Sequence, residues 1–266
     1  MSRLTSDVRE MVHEQAEYHE LLWQMVRRDL LLRYKQSVMG FGWAIFMPLV
    51  NTVVFTVIFS RAAKVQVDMP YPLFAYTGFL FFNLLASALR AAVTSLTANT
   101  NLVTKVYFPR EIFPFAAVIV AVVDSLVGGV VVAGMLVYYK IPLSGTILFL
   151  PVLLVVELMF TAAVSLLLGM ANLFYRDVKY LFEVVVIAWM FASPVAYSVN
   201  DVTGLTGRIV RLNPMTTIIE GYRDVIIRGH LPDMQALGVT SAVSVLLLAV
   251  AWLAFHRAEF RFAENV

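Results

Sequence analysis

The stretch "FAAVIVAVVDSLVGGVVVAGMLVYY", Phe115–Tyr139, runs for 25 residues with one charged side chain, Asp124. About 20 consecutive apolar residues carry a helix across the hydrocarbon core of a bilayer. Comparable runs flank it at Met39–Ser60, Pro72–Ala92, Thr146–Ala171, Tyr180–Val199 and Ala236–Phe255. The sequence therefore predicts an all-α membrane protein with six transmembrane helices.

Composition points the same way. Of 266 residues, 60% are hydrophobic and 14% charged, with a mean hydropathy of +0.79. Soluble domains hold about 45–50% apolar and about 25% charged residues. No hydrophilic stretch is long enough for a separate catalytic domain. The net charge of +2 is too small to suggest nucleic acid as a partner. With no cysteine there is no disulfide, thiolate metal site or cysteine nucleophile. The start "MSRLTSDVREMVHEQAEYHE" mixes acids and bases, unlike a cleavable signal, so it is expected to stay in the mature chain. The motifs G-x-x-x-x-G-K-[ST], H-E-x-x-H and G-x-S-x-G do not occur. No catalytic residue and no metal site is predicted.

Six crossings put both termini on one side, and the balance of basic residues selects which. One set of flanks carries Arg27, Arg28, Arg33, Lys35, Lys105, Arg110, Arg176, Lys179 and Arg257 close to the spans. The opposite set is sparser, with Arg61, Lys64, Lys140 and Arg228 among its members. Both termini are therefore expected in the cytoplasm. The implied organisation is a cytoplasmic segment 1–38, a membrane domain 39–256 and a cytoplasmic tail 257–266.

Several segments carry more than a span requires. In "LLWQMVRRDLLLRYKQS", Leu21–Ser37, Gln24, Arg27, Arg28 and Lys35 share one helical arc, opposite Leu22, Met25, Val26, Leu30 and Leu32. Asp29 and Arg33, four apart, are placed to pair. This predicts an amphipathic helix lying on the inner leaflet, its cations near anionic headgroups. The plainer reading is a basic flank that sets topology.

"NTNLVTKVYFPREIFPF", Asn99–Phe115, is longer and more charged than a membrane turn needs. Pro109 and Pro114 tend to isolate a short piece, Asn101–Phe108, from the next span. Tyr107 and Phe108 beside Lys105, Arg110 and Glu111 form either a docking knob with a charged rim or residents of the headgroup belt. On the other side, "RLNPMTTIIEGYRDVIIRGHLP" has Asn213 as a helix cap and Pro214 in the first turn. Met215, Ile218, Ile219, Tyr222 and Ile226 follow at helical spacing, with Gly221 a candidate break. This helix is too short to span and is expected to be re-entrant or interfacial.

Asp124 and Glu157 fall near the middle of their spans, where an ionisable group is costly. They either line a pore or subunit contact, or sit neutral and hydrogen-bonded, Asp124 to Ser125 for instance. Arg90 is placed to snorkel to the cytoplasmic edge. Aromatics are frequent inside the spans, including Trp43, Phe46, Phe55 and Trp189. Such rings can stack on sugars, although membrane aromatics commonly serve only packing.

Four segments in register, "LLLRYKQSVMGFGWAIFMPL", "NLVTKVYFPREIFP", "ANLFYRDVKYLFEVVVIAWMFASPVAYS" and "LNPMTTIIEGYRDVI", resemble the permease subunits of ABC-2-type exporters. The similarity is to the branch exporting O-antigen, capsule or teichoic acid. That resemblance implies that Asn101–Glu111 is a coupling segment docking on a separate ATPase, with Asn101, Lys105, Tyr107, Phe108, Arg110 and Glu111 in the contact. It implies that Arg27, Arg28 and Arg33 lie on an interface helix, and that Pro214–Ile227 lies in outer re-entrant helices. It further implies a homodimer with two ATPase subunits that bind ATP and Mg, so that the chain itself needs no cofactor and is not an enzyme. The implied substrate is a glycan on polyprenyl diphosphate, moved across a bacterial inner membrane, as in lipopolysaccharide biosynthesis. A dimer-axis channel lined by Trp43, Phe46, Phe55 and Trp189 follows as an expectation. Rival readings are an ABC-2 exporter of a drug or lipid and a proton-coupled secondary transporter using Asp124 and Glu157.

Overall fold

The computed structural model describes residues 13, 17–35, 39–40, 42–58, 67–105, 108–259 and 262. They form ten α-helices: α1 His19–Tyr34, α2 Gly42–Phe55, α3 Tyr71–Ser95, α4 Thr100–Lys105, α5 Ile112–Tyr138, α6 Leu150–Phe174, α7 Val178–Phe191, α8 Gly204–Leu212, α9 Pro214–Arg223 and α10 Met234–Ala258. The protein is an all-α, multi-spanning membrane protein.

Among the described residues, four helices are long and apolar enough to cross a bilayer: α3, α5, α6 with its preceding 3-10 turn Gly145–Phe149, and α10. The other two expected spans are shorter. α2 and α7 have 14 residues each, about 21 Å at 1.5 Å per residue, against about 30 Å of hydrocarbon. The run from Tyr180 to Val199 is apolar, but α7 stops at Phe191 because Pro194 disfavours helix in the residue before it. The chain then turns through Ala192–Pro194. In α2, Pro48 lies inside the helix and cannot donate to the ladder, and the Thr52 hydroxyl donates to the Pro48 carbonyl at 2.8 Å. Apolar helical turns continue to Ile58.

The long helices start where their sequences allow. Pro72 and Pro151 sit in the first turns of α3 and α6, where an N–H has no intrahelical partner to lose. Asp233 caps α10 by accepting from the backbone N–H groups of Gln235 and Ala236.

α3 is the central helix. Of its most apolar stretch 83% is buried, against 22% for α10 at the periphery. α5 and α6 pack on it, α10 packs on α6, and α2 and α7 lie at its edge. Two apolar cores result. One joins α3, α6, α9 and the turn after α9. The other joins α1, the entry to α5 and the last turns of α10. The first core lies at the far end of the bundle, the second at the α1 end.

α1 differs from the helix expected to lie flat on a leaflet. It leans along the first half of α5, burying Met25 and Val26. Asp29 does not pair with Arg33; it accepts from Arg28 at 2.9 Å, while Arg33 reaches Asp124 of α5. Asp124 offers a carboxylate to two donors on α1, which outweighs one exposed pair along the helix face.

Candidate functional site

At the α1 end, where the sequence sets off a short piece at Asn101–Phe108, the described residues hold a 3-10 turn Thr97–Asn99 and α4, which runs to Lys105. Asn101 and Thr104 are exposed on α4, and Lys105 is its last residue. Tyr107 lies outside the described residues. Phe108 is only 3% exposed and packs edge-on against Phe113 with centroids 5.5 Å apart, an inward position unlike that of a docking anchor. The apolar core beneath the loop accounts for this, because it offers Phe108 a dry site within its own chain. Arg110 and Glu111 also turn inward. The Arg110 N–H donates to Glu259 Oε1 at 3.0 Å and its guanidinium to the Glu259 carbonyl at 2.5 Å. Glu111 is fully buried and accepts from the Trp252 indole N–H at 3.1 Å. The loop is thus fastened to the end of α10.

The interface cations divide. Arg27 is exposed. Arg28 donates to Asp29 and to the Asn99 side chain at 3.0 Å, tying α1 to the turn before α4. Arg33 and the Tyr34 hydroxyl both hold Asp124.

Both intramembrane acids are therefore enclosed within this chain. Asp124 has Arg33 and Tyr34 as partners rather than Ser125. Glu157 is fully buried and accepts from the Tyr222 hydroxyl at 2.7 Å. Tyr222 in turn stacks on Phe81 with ring centroids 3.4 Å apart.

The four aromatics expected along a channel fall on α2 and α7. Trp43 and Phe46 are the most open, 42% and 44% exposed, and meet edge to face at 5.6 Å. Phe55 packs on Phe79 of α3, and Trp189 on Phe160 of α6. Beside them α7 exposes Leu181, Val184, Val185 and Ile187. Arg90 does not snorkel to water alone: it donates to Glu183 of α7 at 3.1 Å, forming an ion pair exposed on this same side of α3. An exposed ion pair within a span is unfavourable against lipid and fits a hydrated or protein-covered surface.

The far end is closed by α8, α9 and a widened helical turn, Asp224–Arg228, ended by Gly229 at φ 73°. Gly221 does not break α9. It lies where a Cβ would approach Leu153 of α6 to 2.9 Å, so its role is close packing. Asn213 caps α9 through Met215 N–H and also accepts from the Trp189 indole, while its amide donates to the Ala192 carbonyl at 3.2 Å. One side chain thus joins the end of α7 to the start of α9.

Arg223 is fully buried and fixes the cap. Its two terminal nitrogens donate to the carbonyls of Pro194, Phe74 and Val195 and to Glu220, and its guanidinium lies 3.5 Å over the Phe74 ring. Burial pulls Arg223 down to about 10, with Glu220 opposing, so it stays protonated at neutral pH. Arg228 binds Asp68, Glu220 and Asp224 around the rim. Its hydrogen bond holds Asp68 below the usual carboxylate value, whereas burial raises Asp224 despite the same partner. Sequence reasoning missed Arg223. A signal was present: it falls four residues after Ile219 and three before Ile226, on the helix face those residues bury.

The structure is thus a membrane bundle with a fastened loop at one end, a built cap at the other and an ion pair on its flank. Residues 20–227 match the family described as ABC-2 type transporter, and the chain belongs to that family. It is 28% identical over 260 residues to the O-antigen export system permease protein RfbA of Myxococcus xanthus, covering 96% of this chain and 99% of that one. It is also 26% identical over 246 residues to a Klebsiella pneumoniae protein of the same description, covering 92% and 94%. The chain is an ABC-2 type permease related to polysaccharide exporters, a transport subunit and not an enzyme.

Proposed function

We propose that this chain is the membrane half of an ATP-driven exporter that carries a lipid-linked, O-antigen-like polysaccharide from the cytoplasmic to the outer face of a bacterial inner membrane. The observation that carries the reading is similarity along nearly the whole length of both chains to O-antigen export permeases. In this reading two copies assemble with two ATPase subunits. α2 and α7, with their flanking turns, complete six passes, and both termini lie in the cytoplasm. α8 and α9 form the re-entrant outer cap.

The exposed docking surface is then Asn101 and Thr104 of α4 together with Arg27 of α1, while Phe108, Arg110 and Glu111 anchor that surface to the bundle. The passage runs along the α2 and α7 faces of the two copies, where the Arg90–Glu183 pair supplies polarity and Trp43 and Phe46 supply stacking surfaces. A hydroxyl-rich glycan needs such a route because unpaired polar groups are costly in hydrocarbon.

The test reconstitutes the permease with its partner ATPase in vesicles. Lipid-linked polysaccharide is expected to raise ATP hydrolysis and to cross only with ATP. Trp43→Ala with Phe46→Ala should slow export more than it lowers protein amount. Stimulation by small amphiphiles but not by glycan would favour a drug or lipid exporter. Uptake driven by a proton gradient without the ATPase would make it a secondary transporter.

A further inference from the structure

Where α5 begins and α10 ends, Glu111, His256 and Glu259 converge, with a potential ligand atom from each lying within 4.8 Å of the others. Glu111 is fully buried and His256 is 8% exposed. The Trp252 indole N–H occupies Glu111 Oε1, but Glu111 Oε2 is buried without a hydrogen-bond partner, and so is His256 Nδ1. His256 Nδ1 and Glu259 Oε2 are 3.9 Å apart, too far for a hydrogen bond. Buried polar atoms left open in this way are costly unless something fills the space between them.

We propose that Glu111, His256 and Glu259 form a divalent-metal site of the zinc class. One imidazole nitrogen and two carboxylate oxygens are a donor set that Zn²⁺ accepts at about 2.0–2.2 Å. Tetrahedral ligands at that range lie about 3.4 Å apart, so small side-chain rotations close the site. The Trp252 hydrogen bond orients the first carboxylate, as outer partners of metal ligands do. Arg110 is the competing cation, 4.0 Å from Glu259 Oε1. His256 and Glu259 retain some exposure at their side chains, 11% and 14%, which gives the ion a way in and a water a fourth position. A bound ion would clamp the entry of α5 to the exit of α10, directly behind the loop that follows α4.

The test uses the full-length, tag-free chain in detergent, stripped with chelator and titrated with Zn²⁺, and with Co²⁺ for its visible spectrum. One ion per chain is expected. The chain has no cysteine, so the Co²⁺ spectrum should lack any thiolate band. Trp252→Phe, which removes only the outer hydrogen bond, should weaken binding by about 10–100-fold. Glu111→Gln and His256→Asn should weaken it further, whereas His230→Asn should leave it unchanged. No uptake by folded wild-type protein, or full uptake by a folded His256→Asn variant, overturns the site. Neither result depends on transport, so the metal site can fail while the export reading stands.

Discussion

Asp124 and Glu157 sit in two of the most apolar helices, and each is answered by a side chain of the same subunit. Arg33 and Asp124 are expected to couple in a double-mutant cycle with Arg33→Gln and Asp124→Asn. The coupling should lie toward the low end of about 0.5–3 kcal/mol, because the Arg33 side chain is 36% exposed and solvent screens it. Additive unfolding energies in mixed micelles would show that the two side chains meet without mutual stabilisation. Arg223 makes a sharper case. A lysine there keeps the charge but cannot serve carbonyls on two sides while lying flat on Phe74. Arg223→Lys should therefore cost at least about 2 kcal/mol, seen as a lower melting temperature in detergent. An unchanged melt would mean that these hydrogen bonds are dispensable.

Gly78 of α3 lies tight against the turn that follows α7. A Cβ there would lie 2.3 Å from the Val195 carbonyl oxygen and 2.6 Å from an Arg223 nitrogen. Gly78→Ala should destabilise by about 3 kcal/mol or more and disturb the far-end cap, since a backbone oxygen cannot step aside cheaply. Gly129→Ala is the control: a Cβ there meets nothing within 4 Å, and the change should be neutral in the same melt. The positions of α3, α5, α6 and α10 were legible because long apolar runs permit little else in a bilayer. The expected span outlasts α7 by eight residues because hydropathy continues through Val195, although Pro194 marks the stop. Phe108 was legible as a ring needing burial, but hydrophobicity does not specify whether its own chain or a partner supplies the site. The pairing of Arg33 with Asp124 spans 91 positions, and no local pattern carries that distance.

The assembled bundle has two unlike ends around α3. Under the proposed topology the exposed positions Asn101 and Asn200 face opposite compartments. The cysteine-free chain makes this direct to test. Asn200→Cys should react with an impermeant maleimide in sealed cells, and Asn101→Cys only after the membrane is opened. Labelling of Asn101→Cys from outside would invert the bundle and remove α4 from the reach of a cytoplasmic ATPase. Inward anchoring of Phe108, Arg110 and Glu111 also means that a force applied to α4 is delivered to the last turns of α10.

The partners of the two intramembrane acids also differ in when the ribosome makes them. Arg33 precedes Asp124 by 91 positions, so a counter-ion already exists when α5 emerges and is inserted. Tyr222 follows Glu157 by 65 positions, so α6 enters the bilayer before its hydrogen-bond donor has been translated. A carboxylate at mid-bilayer carries an insertion cost of about 2.5–3.5 kcal/mol. Glu157 therefore meets that cost before the side chain that answers it has been made. Nascent chains that stall between the two positions should be the ones that quality-control proteases collect.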